Sequence, residues 1–227
     1  MVTSVNSHRE TRGRPRLRED DDILSAALRA FAEHGYGKMS LRALNAEMGL
    51  SRGTINQRFT SKEQLWYAAV DHGFRRLIAD INAELEQHPQ HDDMSLLRNT
   101  FRAFLVASSR QPEMTRLMNQ EGLHSTARLD HIVSEFILPA LSTSMAAIDR
   151  LADAGRVRRL PTRVLLFLLA HGAAAPFTLR ALSERFDSVD GPVEPDGYIE
   201  LATDVIMTAL LAPGVSPPKN RRRNGRR

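Results

Sequence analysis

"LRALNAEMGLSRGTINQRF", residues 41–59, reads as two short helices joined at Gly49-Leu50-Ser51. At helical spacing Leu41, Leu44, Leu50, Ile55 and Phe59 all turn inward. That leaves Arg52, Thr54, Asn56 and Gln57 facing outward on the second helix, with Gly53 among them. These are side chains that read bases. Arg grips guanine O6 and N7, Asn or Gln pairs with adenine N6 and N7, and the Thr methyl touches thymine. Ser51 is the expected N-cap of this helix, which runs to about Phe59. A glycine early in so short a helix costs about 1 kcal/mol, so Gly53 is expected to serve a close approach to a DNA strand. A helix-turn-helix has this layout, with base-reading residues in the first half of its second helix. The plainer reading is a helical hairpin with no special role.

The flanking sequence extends the helical pattern in both directions. Upstream, Asp20, Asp21 and Asp22 follow a start near Glu19 and suit the positive end of a helix dipole. Ile23, Ala26, Ala27, Ala30 and Phe31 form an apolar stripe, and Gly35 is expected to end that helix. Ser40 is a candidate N-cap for the helix that opens at Leu41. Downstream, Thr60-Ser61-Lys62-Glu63 starts a long helix that stops before Pro89, and the polar "HPQHDD" segment marks a break. Further helices follow, with Pro112 at a helix start and Pro139 expected to kink another. No stretch alternates as a strand does.

The fold class expected is therefore all-α. It would comprise a three-helix N-terminal helix-turn-helix domain and a larger C-terminal helical domain. Residues 1–18 are expected to form a flexible basic arm, 19–66 the DNA-binding domain, 67–212 the larger helical domain, and 213–227 a disordered basic tail.

One family shares this order of residues. Ile23, Leu24, Ala26, Ala27, Phe31, Gly35, Tyr36, Ser40, Leu44, Gly49, Leu50, Ser51, Gly53, Thr54, Ile55, Phe59, Ser61, Lys62, Glu63 and Leu65 span about residues 20–70 without a gap. In this stretch the chain resembles the TetR-type one-component transcriptional regulators. The resemblance implies that the third helix of the headpiece enters the major groove and that Ser40, Arg42 and Lys62 lie near phosphates. Helix starts and lysines suit phosphate. The chain departs from the family pattern in carrying Asn56 where a tyrosine is usual, and Asn45 and Met48 where small alanines are usual. The resemblance also implies a homodimer and a small-molecule effector, and makes the C-terminal helical domain, residues 67–212, the one for ligand (effector) binding and dimerisation.

Charge is distributed unevenly. The net charge is +4, yet without residues 1–18 and 213–227 the body has 20 basic and 26 acidic residues, a net of −6. Within that body residues 38–62 are the exception, with Lys38, Arg42, Arg52, Arg58 and Lys62 against Glu47 alone. Screening over about 8–10 Å lets a polyanion feel this patch rather than distant acids. "TRGRPRLR", residues 11–18, adds Arg14 and Arg16 as DNA-binding candidates. Its Arg12-Gly13-Arg14-Pro15 core resembles the minor-groove hook of some architectural proteins, and a solvated arm or a phosphate-only contact is the alternative.

Beyond the headpiece the signals are weaker. Dimerisation is expected through the last two helices, Val164 to Phe186 and Tyr198 to Leu211. Phe101, Phe104, Leu117, Met118, Phe136 and His171 are the candidate lining of an effector pocket, which would suit a hydrophobic molecule. His88, His91, Asp92 and Asp93 read as a polar loop rather than a metal site, and His171 as a hydrogen-bonded core histidine. The most apolar run, Val164 to Phe177, is too short for a bilayer span and reads as a buried helix.

There is no phosphate-binding Gly-Lys loop, no Gly-x-Ser-x-Gly and no His-Glu-x-x-His, so neither enzyme activity nor a cofactor or metal is expected. With no cysteine and no apolar leader, a cytoplasmic location is expected. The leading expectation is a dimeric, ligand-responsive repressor on a pseudo-palindromic operator. One rival is an architectural DNA-binding protein with basic tails and no effector, and another is an all-helical enzyme or carrier.

Overall fold

Three acids at the N-terminus of α1 (Asp20–Lys38) compensate its unpaired N–H groups, and the helix kinks at Gly35, where φ is +72°. The computed structural model describes residues 20–215. The expected arm with Arg14 and Arg16, and the basic tail beyond Val215, lie outside the described residues. After α1 come α2 (Leu41–Glu47), α3 (Thr54–Phe59) and the long α4 (Lys62–Glu86), then α5 (Asp93–Arg110) and α6 (Pro112–Glu121). Then follow α7 (Ala127–Ile132), a π-turn (Val133–Ile137), α8 (Leu138–Asp153), α9 (Thr162–Phe167) and a second π-turn (Leu168–Ala173). The short α10 (Ala175–Thr178), α11 (Arg180–Ser183) and α12 (Asp187–Asp190) lead to α13 (Pro195–Leu210). The architecture is all-α.

One apolar core runs across the expected domain boundary at residue 66. Ile23, Ala27 and Phe31 of α1 and Leu44 and Ile55 of α2 and α3 join Leu65, Trp66, Val70 and Phe74 of α4, and the cluster continues into Met114 and Leu117 of α6. Gly73 allows this close approach. A Cβ there would lie 2.5 Å from Met114 Sδ and 2.7 Å from Leu28 Cδ2. A second core gathers Leu97, Phe101, Ala147, Leu151 and Leu210, and a third joins Leu105 and Val106 to Ala174 and Ile199. α5 stands between them, packing on α4, α8 and α13.

Several sequence expectations change. Pro139, where a kink is expected, stands just after a π-turn in a helical stretch that does not end there. Residues 127–153 run on through the π-turn, where the Leu138 N–H reaches Val133 O, and this wider turn takes in a residue that has no N–H to give. That stretch also reaches the length and mean hydropathy, 1.3, of a membrane span by composition alone. It is amphipathic: Ser144, Ala147 and Leu151 are buried while Asp149, Arg150 and Asp153 are exposed.

The apolar run from Val164 is not a buried helix. α9 gives way to a π-turn and short pieces, and Val164, Phe167 (55 % exposed), Leu168 and His171 face outward. His171 stacks on Phe167 at 4.9 Å rather than sitting in a core, because hydropathy cannot separate a core strip from an unpartnered face. The start of the C-terminal tail also packs. Ala212 N–H donates to Arg156 O, and Val215 lies against the second core.

An ionic network ties α4, α5 and α13. Glu84, 6 % exposed, accepts from Arg102 (3.0 Å) and Arg110 (2.9 Å), Arg102 also reaches Glu200, and Arg98 bridges Glu200 and Asp204. Burial alone would raise the Glu84 carboxyl, but its hydrogen bonds and attraction to the two guanidinium groups outweigh that and hold it below its ordinary 4.5. With the folded pKa lowered, the stabilisation is present above that ordinary value and is lost as pH falls through the folded one. Glu84→Gln is expected to destabilise by about 1–3 kcal/mol at pH 7, since Arg110 loses its partner and Arg102 keeps only Glu200, and to flatten the loss of stability as pH falls below about 4.5. Denaturant melts across that range check both.

Gly73→Ala should cost about 1–3 kcal/mol through overpacking against Met114 and Leu28. Gly37→Ala, where a Cβ meets nothing within 4 Å, should cost far less.

Candidate DNA-binding site

α3 is held from behind by α2. Ser40 Oγ accepts the Ala43 N–H at 3.3 Å and starts α2, as its residue type predicts. At the other end of α2, the Leu50 N–H returns to Asn45 O at 2.8 Å and closes the turn.

Ser51 does not cap α3. That helix begins at Thr54, and its N-cap is Gly53, with φ +85° and ψ −5° and no side-chain capping bond. Ser51 and Thr54 instead share a hydroxyl hydrogen bond of 2.7 Å. A Cβ on Gly53 would meet nothing within 4 Å in the free chain, so its left-handed backbone accounts for the glycine without any appeal to a close approach. The missing cap comes from Asn45. Buried at the α2–α3 contact, its Nδ2 donates to Leu41 O at 2.8 Å, and its Oδ1 accepts the Ile55 N–H at 3.4 Å, one of the otherwise unpaired donors of the first turn. Sequence reasoning marked Asn45 only as an oddity of packing, because a bond across ten residues leaves no local pattern.

Ile55 is fully buried and anchors α3. On the outer side Arg52, Asn56 and Gln57 are exposed, and Gly53 and Thr54 are half-buried. Among the described residues Arg42, Arg52, Asn56 and Gln57 have no side-chain hydrogen bond or ion pair, while Arg58 holds Asp20 of α1 at 2.7 Å. α3 ends abruptly at Thr60, whose φ of +62° and ψ of −45° with Ser61 N–H on Phe59 O at 2.5 Å make a γ-turn. Such a conformation strains a β-branched residue, and it fixes the angle from α3 into α4. Ser61 Oγ then caps α4 through the Gln64 N–H at 3.1 Å.

Lys62 has an additional task. Its Nζ donates to Gly37 O at 3.3 Å and lies 4.9 Å from the Tyr36 ring centre, tying α4 to the last residues of α1, beyond the kink at Gly35. Burial, and then the nearby Arg128 cation, lower its pKa.

The six candidate pocket residues are not brought together. Phe101 belongs to the second core, Phe104 to the third, and Leu117, Met118 and Phe136 to the first, where Phe136 stacks on Phe74 at 4.5 Å. A cleft of about 600 Å³ lies elsewhere, lined by Leu179, Leu182, Phe186, Tyr198 and Leu201 among others. In the polar loop, Asp92 and Ser95 form a capping box for α5, and Asp93 pairs with Arg150.

Asn45→Ala is expected to cost about 1–3 kcal/mol, since it strands the buried Ile55 N–H, and to loosen α3 more than α1. Thr60→Gly should stabilise by up to about 1 kcal/mol by relieving the γ-turn. Thermal melts with amide exchange check the pair; a lower melting temperature for Thr60→Gly would contradict strain there.

Comparison with known proteins agrees with this geometry. The family of bacterial regulatory proteins described as the tetR family matches residues 23–69. An HTH-type transcriptional regulator of Mycobacterium tuberculosis is 27% identical over 164 residues, covering 67% of this chain and 79% of its own. The HTH-type transcriptional repressor AcnR of Corynebacterium glutamicum is 28% identical over 195 residues, covering 76% and 90%. Among solved structures, a TetR-family regulatory protein from Rhodococcus shares the fold at a TM-score of 0.62 with 20% identity, covering 86% of this chain and 99% of its own. The ketosteroid transcriptional regulator KstR2 of Mycobacterium tuberculosis aligns at 0.64 with 15% identity, covering 86% and 97%. With this match, residues 23–69 carry the headpiece of the tetR family of bacterial regulatory proteins, and the chain as a whole is similar to HTH-type transcriptional regulators and shares the all-α fold of TetR-family structures.

Proposed function

We propose that this regulator is a cytoplasmic repressor that binds a pseudo-palindromic operator as a homodimer and is released by a small-molecule effector. The observation that carries the DNA half is the uncommitted outer face of α3. Arg52, Asn56 and Gln57 point away from the protein without partners among the described residues, on a helix anchored by buried Ile55. Arg52, Gly53, Thr54, Asn56 and Gln57 supply the groove face, with Ser51 at its edge, and Ser40, Arg42 and Lys62 lie toward the backbone. AcnR, similar along most of its length, is named a repressor.

The dimer half rests on exposed apolar side chains. Phe167, Leu168, Leu179, Leu182 and Phe186 lie on the stretch from α9 to α12, and Leu201 (65 % exposed) and Val205 on α13. So large an apolar surface favours association, and a twofold partner over these helices would set two α3 helices about 34–36 Å apart. For the effector, a hydrophobic small molecule is the reading. The neighbour KstR2 is named for ketosteroids, and the C-terminal helices divide into two small apolar cores that a ligand could prise apart. Its release of DNA requires unequal affinity for the two states of the dimer.

Selection of bound duplexes from a random library with full-length protein tests the reading. A twofold-symmetric motif is expected; featureless or merely A·T-rich DNA would favour an architectural protein. On the selected duplex, Arg52→Ala should lose about 1–3 kcal/mol of preference over random DNA. Arg42→Ala should weaken both alike and lower the salt slope by about one. Arg42 serves better than Lys62 as the phosphate probe, because Lys62 also holds Gly37.

A further inference from the structure

Two cations from distant parts of the chain share one aromatic ring. The Arg128 guanidinium lies 3.9 Å from the centre of Tyr36, on which Lys62 also sits, and 5.6 Å from the Trp66 ring. Arg128 is not loose. Its Nε is 3.1 and 3.3 Å from the two carboxylate oxygens of Glu121, a buried residue at the end of α6, and Thr126 Oγ1 donates to the same carboxylate at 3.5 Å.

The residue beside Glu121 grips the same region. Gln120 Nε2 donates to Ala32 O at 2.7 Å, and a Cβ on Gly35 would come within 2.9 Å of Gln120 Oε1. The corner between α6 and α7 therefore holds the end of α1 at Ala32, Gly35 and Tyr36, while Lys62 holds Gly37 from α4. Three residues further on, Ser40 starts α2, and α2 carries the Asn45 that completes the first turn of α3.

We infer that Arg128, braced by Glu121 and seated on Tyr36, is a positioning residue that fixes the angle at which α3 is presented to DNA. The inference builds on the reading of α3 as the groove-facing helix and concerns a residue of the C-terminal unit, remote in sequence from that helix. Arg128 acts through Tyr36, the α1–α2 turn and Asn45, and it contacts none of Arg52, Asn56 or Gln57. A planar cation pressed on a tyrosine and paired to a buried carboxylate has a defined seat, which a flexible surface arginine lacks.

The test uses the full chain with Arg128→Gln and Arg128→Lys. In free protein, hydrogen exchange of the amides at residues 37–57 should speed up about tenfold in Arg128→Gln while α5 and α13 keep their rates, and Arg128→Lys should recover most of the protection by keeping a cation on the ring. Trp66, the sole tryptophan, should change its emission in Arg128→Gln only. On the selected duplex, Arg128→Gln should bind about tenfold more weakly with an unchanged salt slope, because no phosphate contact is lost.

Unchanged exchange at residues 37–57 would overturn the inference. So would equal loss across all helices, which would mean general support, or a salt slope lower by about one, which would mean direct phosphate contact. Should the wild type select no duplex, the DNA reading fails by itself, and the exchange pattern alone still decides whether Arg128 orients α3.

Discussion

The buried face of α4 is the constraint on which the rest of the molecule depends. Leu65, Trp66, Ala69, Val70, Phe74 and Leu77 are at most 9 % exposed; α4 packs on α1 and α5, and α6, which lies against α1, adds Met114 and Leu117 to the same cluster. Close packing of this kind resists sliding, since a gap of a fraction of an ångström forfeits much of the dispersion energy. Because Gly73 removes any cushion between α4, Leu28 and Met114, a displacement of α6 is felt at α1. Headpiece and C-terminal helices are therefore less two domains joined by a linker than two ends of one core. A cut at residue 66 would pass through the middle of it.

What could be read from the sequence follows the range of the forces involved. The apolar spacing from Leu41 to Phe59 sufficed for two helices and their inward faces, because amphipathic periodicity is a local property. Ser40 and Ser61 act as caps, and each precedes its helix as serines do. Gly53 stands out as anomalous in the sequence, and its positive φ, which no list of residue types reports, is sufficient to account for a glycine there. The support that Asn45 gives α3 could not be seen, since donor and acceptor meet only after the turn has folded.

The C-terminal half was less legible for a different reason. Phenylalanine and methionine at helical spacing mark a buried strip, and Phe101, Phe104, Leu117, Met118 and Phe136 are buried or half-buried, yet burial did not say that they enter three separate clusters. The run from Val164 shows the converse. Its hydropathy resembles that of a core, while Val164, Phe167, Leu168 and His171 meet solvent in the single chain. Composition measures how much a segment gains from leaving water, not against which surface it does so.

The freedom of the outer face of α3 has a consequence for descent. Among the described residues the side chains of Arg52, Asn56 and Gln57 hold nothing else in place, whereas Ile55 and Asn45 carry the stability of the helix. Substitutions at 52, 56 and 57 therefore escape the purge that removes destabilised variants, and, on the proposed reading of α3, duplicated copies of such a protein can diverge in the DNA they recognise while inheriting an intact scaffold. The vocabulary of the reading head is separable from the grammar of the fold, residue by residue.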